Sequence, residues 1–354
     1  MKRRTQTDDT LQKMASVRAL KRSRSSRAFD PARLKKKHKV LGRCIVVAPA
    51  QLSFFSDNYS VFVAFIDELM QVGSESRVLI DLRNVRQVKA AAVLLLYAVV
   101  ENLQRKFGGK SRVKTTRCQS RYISQSLARF GFWELTGEAR HRAPYIGPGL
   151  DVCSASYANQ QAGDDSELRR AVKYVQHAIV HSGIDPEQGV KAFAAITESF
   201  SNVWQHAYDD AFYPVALPDN EKNWWIAVEN IDDQLFIAVY DSGVGIPKTL
   251  SKKPWYSELV SELLGLLGVS DHSDGLAIHA AVEYGNSRFK EGGRGKGLAE
   301  MKDFVSANPS GNIVIYSGTG LYEYRSGRIE TTESLPMAMP GTLIQWNIQL
   351  GSAS

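Results

Sequence analysis

Three glycine-bearing turns and one polar helix face, in a fixed order along the C-terminal half, restrict the fold of this 354-residue chain more than any other feature. The first element is Glu198-Ser-Phe-Ser-Asn202-Val-Trp-Gln-His206, inside a segment of helical periodicity over 188–207. Glu198, Asn202 and His206 recur every four residues and share one helical face, while Ile196, Phe200 and Val203 turn elsewhere and can face a core. Next, two apolar strands at 224–228 and 235–239, joined by a turn at Asp232-Asp233, run into Asp241-Ser-Gly243-Val-Gly245-Ile-Pro247. Gly243 and Gly245 permit backbone conformations that a Cβ obstructs. Then Gly293-Arg294-Gly295-Lys296-Gly297 leads into a helix over 298–307. Finally Gly341-Thr342 opens a last strand over 342–350, after strands at 313–316 and 320–324 flanking a Ser-Gly-Thr-Gly turn.

The chemistry of these residues points to a triphosphate. Glu198 can orient and deprotonate an attacking water. Asn202 offers a hard oxygen to Mg²⁺, an ion that otherwise keeps waters and phosphate oxygens. His206 can donate to a phosphate. Backbone amides of a glycine turn at a helix N-terminus hold phosphate, and Arg294 and Lys296 add positive charge there. A dinucleotide-binding reading is disfavoured, because the glycines are spaced G-x-G-x-G and no strand immediately precedes them. His177 and His181 lie four apart in a helical segment over 166–182, whose stripe is Leu168, Val172, Val175 and Ile179. With no third ligand evident they read as ordinary helix histidines.

In order and context, the four motifs resemble the N-box, G1, G2 and final Gly-Thr of the GHKL (Bergerat-fold) ATPases, which include histidine-kinase ATP domains and anti-sigma-factor kinases. The resemblance covers roughly 165–350. It implies an α/β sandwich, a mixed sheet with helices on one face, and ATP with Mg²⁺ as cofactors. Carried over, Glu198 is the catalytic base and Asn202 the metal ligand. Asp241 accepts a hydrogen bond from the adenine amino group, and Thr342 sits near the adenine. Gly243, Gly245, Gly293, Arg294, Gly295, Lys296, Gly297 and His206 complete the nucleotide site. Residues 248–292 resemble the family's mobile ATP lid.

The N-terminal half reads as a second α/β domain over 41–138. Strands are expected at 44–48 and 77–81, and helices at 58–70, 90–103 and 124–132, an alternation that suggests a parallel or mixed sheet. Val78-Leu-Ile-Asp81-Leu-Arg-Asn-Val85, the apolar helix after it, and Ser126-Leu-Ala-Arg-Phe-Gly131 resemble STAS domains. That family usually carries a phosphorylated Ser or Thr at the start of this helix. Here the stretch is Val88-Lys89-Ala90-Ala91-Ala92, without a hydroxyl. An unspecialised α/β packing domain stays open beside that resemblance. Residues 139–164, with Pro144, Gly147, Pro148 and Gly149, read as a linker to the domain over 165–354.

Charge is unevenly spread. Residues 1–40 carry fourteen Lys and Arg against three Asp, a net +11 that leaves −4 for the rest of a +7 chain. The tail reads either as a disordered, solvated arm or as a nonspecific nucleic-acid contact, because phosphate neutralisation needs charge and not aromatic stacking. Three distant cysteines form neither a CxxC pair nor a disulfide framework, and no run of 18 apolar residues occurs. A cytoplasmic protein without membrane contact is expected. The fused domain implies a protein partner, and a homodimer is compatible with the family. Three activities remain open: a hydrolysing regulatory switch, a Ser/Thr kinase of the anti-sigma type, and a nucleotide-binding regulator without turnover.

Overall fold

The computed structural model describes residues 42–73, 76–109, 111–139, 151–156, 206–231, 234–267, 272–284 and 297–349, and isolated positions between them. The chain divides into two units, Met1–Lys39 and Val40–Ser354. In the first, only Met14, which is helical, and Lys39 are described, so the expectation for the basic tail lies outside the described residues.

The second unit begins with β1 (Arg43–Val47), β2 (Gln51–Leu52), α1 (Ser56–Met70), β3 (Arg77–Asp81), β4 (Gln87–Val88), α2 (Ala90–Phe107), β5 (Val113–Thr115), α3 (Arg121–Arg129) and α4 (Phe132–Thr136). Strands β1, β3 and β5 pair in parallel, with Cys44 opposite Val78 and Val78 opposite Val113. The expected strand–helix alternation therefore builds a parallel sheet, as helical crossovers require. Helix α2 is apolar on every side, with 91–96 and 98–100 all buried, the pattern of a helix packed all round. It ends at Gly108 in the left-handed region, where a residue without Cβ is unstrained.

The chain continues with β6 (Asp151–Ser156), β7 (Asn223–Ile231), β8 (Gln234–Asp241), α5 (Ile246–Leu250), α6 (Tyr256–Leu267), α7 (Asp274–Tyr284), α8 (Gly297–Ser306), β9 (Asn312–Arg325) and β10 (Thr331–Gln349). The five strands form one sheet in the order β9-β10-β8-β7-β6, and every pairing is antiparallel. In several respects the structure departs from expectation, and Gly341-Thr342 lies within the last strand, which begins at Thr331. The sheet is antiparallel and not mixed. Asp151–Ser156, within the stretch read as a linker, adds an edge strand to β7. The strands expected at 313–316 and 320–324 are one strand, β9, with irregular pairing between Ser317 and Gly320 and no turn. Part of the stretch read as a lid is α7, whose Leu276, Ala277, Ile278, Ala280 and Val282 are core residues, since a helix with no polar face must be enclosed.

Both faces of the antiparallel sheet are covered. Along β8, Leu235, Ile237 and Val239 join a core with Ile278, Met301 and Phe304 of α7 and α8. The alternate residues Ala238 and Tyr240 join the core of the N-terminal half, with α1 and α2. Helices α1 and α2 also touch the parallel sheet, so they lie between the two sheets. Trp225 Nε1 donates to Glu101 Oε2 of α2 at 2.7 Å, and Tyr59 of α1 donates to the Met337 carbonyl of β10 at 3.1 Å. The helices-on-one-face expectation is thus replaced by two helical layers, the second supplied by the N-terminal half. No helix among the described residues is long and apolar enough to cross a membrane.

Candidate functional site

Strand periodicity places the site. Side chains two apart share a face, so Asp241 at the end of β8 points to the side of Ile237 and Val239, toward α7 and α8. Its register partner on β10 is Thr342, which shares a face with Ile344 and Trp346 in that same core. On β9, Ser317 follows Ile313 and Ile315 by the same parity, and its Oγ lies 3.0 Å from Thr342 Oγ1. Three neighbouring strands thus bring an Asp, a Thr and a Ser together on one face, all buried, where β8 ends.

Asp241 is fully enclosed, and burial pushes its pKa up to about 7 against the lowering effect of one backbone hydrogen bond. That bond comes from the Gly243 amide, 2.8 Å from Oδ1. The turn after it is forced into close contact. A Cβ on Gly243 would stand 2.3 Å from the Ala207 carbonyl oxygen, and the Val244 amide donates to that same oxygen at 3.0 Å. The end of the helical motif at His206 and Ala207 is therefore locked to the turn. Gly341, at φ +88°, brings its position to 2.0 Å, for a Cβ, from the Asp241 carbonyl oxygen. Gly245 caps α5, and the Ile246 amide donates to Ser317 Oγ at 2.9 Å.

Behind the turn stands Tyr208, two residues beyond His206. Its buried hydroxyl donates to the Asn223 carbonyl and accepts from the amides of Asn223 and Ser242, each at 3.1 Å. Burial pushes its pKa far up, with the Asp241 charge adding to that effect, so the phenol remains a donor.

The structure thus brings Asp241, Gly243, Gly245 and Thr342 to one end of the sheet, with His206 adjoining them in sequence to Ala207. Gly297 opens α8, which packs on that same helical face. Glu198, Asn202, Gly293, Arg294, Gly295 and Lys296 lie outside the described residues, as do His177 and His181. Sequence reasoning missed Ser317 and Tyr208. Neither belongs to a motif, and Ser317 enters only through strand register.

Two other features lie near the turn or on the same helical layer. A cleft of about 670 Å³ adjoins the turn, lined by Met70, Phe212, Tyr213, Lys248, Met339 and neighbours; Asp241 and Thr342 are not among its walls. His279, Glu283 and Glu330 have ligand atoms within 4.8 Å of one another. Lys302 already supplies the cation there, 2.6 Å from Glu283 and in contact with Glu330. Burial opposes ionisation of Glu330, but hydrogen bonds from His279, Lys302 and Tyr322 hold its pKa down at about 2. This cluster joins α7, α8 and the segment before β10 as an ion network that already holds a cation.

No protein-family model and no curated protein matches the chain.

Proposed function

We propose that the protein binds ATP at this end of the antiparallel sheet and acts as a nucleotide-dependent regulatory switch. The observation that carries the reading is Asp241. It is an enclosed carboxylate at a strand end, with one oxygen held by the Gly243 amide and hydroxyls of Thr342 and Ser317 on the same face. Burying a carboxyl among apolar side chains costs several kcal/mol, which is repaid where the group has a polar ligand to recognise. An acceptor of this kind suits the exocyclic amino group of adenine, and the two hydroxyls can bond a ring nitrogen or a bridging water.

In this reading Asp241, Thr342 and Ser317 take the base end of the nucleotide. The phosphate and metal end falls to Asn202, His206 and the 293–297 turn, with Glu198 as the base that activates water. When bound, Mg²⁺ would neutralise phosphate charge. The chain's own part is to hold the base, exclude water from it and present Glu198 and the glycine turn to the far end of the ligand. Regulation rather than bulk turnover is favoured by the N-terminal half, which packs its helices onto the back of the same sheet. That half lacks the hydroxyl of a phospho-switch: Lys89 is the N-cap of α2, and Ala90, Ala91 and Ala92 follow it.

The test is to incubate the protein with γ-labelled ATP and with γ-labelled GTP. Binding of ATP in preference to GTP is expected, because guanine lacks the amino donor at that position. Free phosphate identifies an ATPase, labelled protein a kinase, and retained nucleotide without either a binding regulator. Equal affinity for both nucleotides, or none for ATP, overturns the assignment.

A further inference from the structure

A continuous polar chain leads from the N-terminal half to the turn that carries Asp241. On α2, Arg105 Nη1 donates to Asn223 Oδ1 at 2.8 Å, and Asn102 Oδ1 accepts from Asn223 Nδ2 at 2.9 Å. Asn223 is wholly buried at the start of β7. Its main-chain carbonyl and amide both bond the Tyr208 hydroxyl. The same hydroxyl accepts from the Ser242 amide and lies 3.1 Å from Ser242 Oγ. One phenol thus holds the start of β7 and the residue after Asp241, and through Asn223 it is tied to α2.

A phenolic oxygen has one proton and two lone pairs. The donation to Asn223 and the two amide bonds use all three, so a shift of Asn223 frees the hydroxyl to turn and loosens its hold on the Ser242 amide. Ser242 stands between Asp241 and Gly243, the carboxylate and the amide that orients it. Side-chain networks of this kind carry coupling between distant sites when both ends bias the same element.

We infer that Tyr208 is a positioning residue through which helix α2 sets the turn at 241–243, so that the N-terminal half regulates the nucleotide site from behind the sheet. The inference rests on the nucleotide reading for its ligand, but the positioning itself can be read without one. Coupling is reciprocal, so nucleotide binding also restrains α2 around Asn102 and Arg105.

The experiment uses the full chain and three variants: Tyr208→Phe, Asn102→Ala and Arg105→Ala. The first keeps the ring in the core and removes only the hydroxyl. The other two reach Tyr208 through Asn223. Hydrogen exchange of the Ser242 and Gly243 amides, without nucleotide, should quicken in all three by roughly tenfold, the loss of one hydrogen bond of ordinary strength. Exchange in the centre of β8 should stay unchanged, which separates positioning from general destabilisation. ATP affinity should fall in all three, and Tyr208→Phe with Asn102→Ala should lose less than the sum of the two, because both cut one chain. Unchanged exchange at Ser242 in both α2 variants overturns the inference, whatever Tyr208→Phe does, and so does strict additivity. If Tyr208→Phe does not fold, the α2 variants still decide. A wild type that binds no ATP removes the nucleotide reading alone, since the exchange results stand apart from it.

Discussion

Asp241 carries the most specific expectation at the scale of single residues. Its carboxyl takes up a proton at about 7 when folded, against about 3.9 in an unfolded chain. Between those values the folded state binds more protons than the unfolded one. Stability of the free protein should therefore fall as pH rises from about 4 to about 7, and this contribution should level off above. Asp241→Asn should remove that slope, as urea midpoints across the range would record. ATP affinity should run the other way, rising through about pH 7 as the carboxylate ionises. In the same variant a charge-assisted bond becomes a neutral one, a loss of about 1.5–3 kcal/mol, or about ten- to hundredfold in affinity. A wild-type binding profile flat across pH 7, or an unaltered one in the variant, contradicts the role. Gly243→Val drives a side chain into the Ala207 carbonyl. Overpacking of this kind costs about 1–3 kcal/mol and should separate the turn from the end of the 188–207 segment. Thermal melting should show a folded variant that ATP no longer stabilises; full stabilisation by ATP would show that the turn tolerates the side chain.

Among the elements, α7 decides how much of the molecule can move. The stretch 248–292 resembles the mobile ATP lid of the GHKL ATPases. The helix is made largely of Leu276, Ala277, Ile278, Ala280 and Val282, however, and these side chains are core. Its amides should exchange slowly, at rates close to those of β8, with and without nucleotide. Exchange as fast as that of exposed loops would return α7 to the lid. The strands carried a signal of the same kind. Trp224-Trp225-Ile226-Ala227-Val228 and Leu235-Phe236-Ile237-Ala238-Val239 are apolar at both parities. A strand with one wet face alternates, whereas one covered on both sides does not. The second helical layer was therefore legible in the composition of these strands, although what supplies it was not. The apolar circumference of α2 is the complementary half of the same fact.

On the scale of the whole molecule, the two halves of Val40–Ser354 share a core, with Trp225, Ala238, Tyr240, Val314 and Leu343 of the antiparallel sheet packed among residues of α1 and α2. One cooperative unfolding transition is expected, with calorimetric and van't Hoff enthalpies in agreement. The segment from 165 onward, expressed alone, should expose this face and aggregate; two resolved transitions, or a soluble monomeric fragment, would show that the halves fold independently. The basic tail makes a separate prediction. Removing 1–40 takes away +11 and leaves a body of −4, so ATP affinity should not change. If the tail contacts nucleic acid, binding should be nearly sequence-independent and fall steeply with salt, by about 0.9 in log-log slope per phosphate neutralised on duplex DNA. Filter binding at about 50 mM salt with both proteins checks this, and equal affinity for the two rejects it.

The local elements were legible in the amino-acid sequence. Strand β3 and the starts of α2 and β8 follow from periodicity and from breakers, and the placement of Asp241 directly after a strand follows from the glycines behind it. These are short-range properties, set by a residue and its near neighbours. Only the tertiary structure decided that Thr342 and Ser317 stand beside Asp241, that 151–156 completes the sheet, that α7 is core and that α1 and α2 lie behind the site. Each depends on register or on packing between segments that are not neighbours in sequence, and a pattern of apolar residues states that a face must be covered without stating by what.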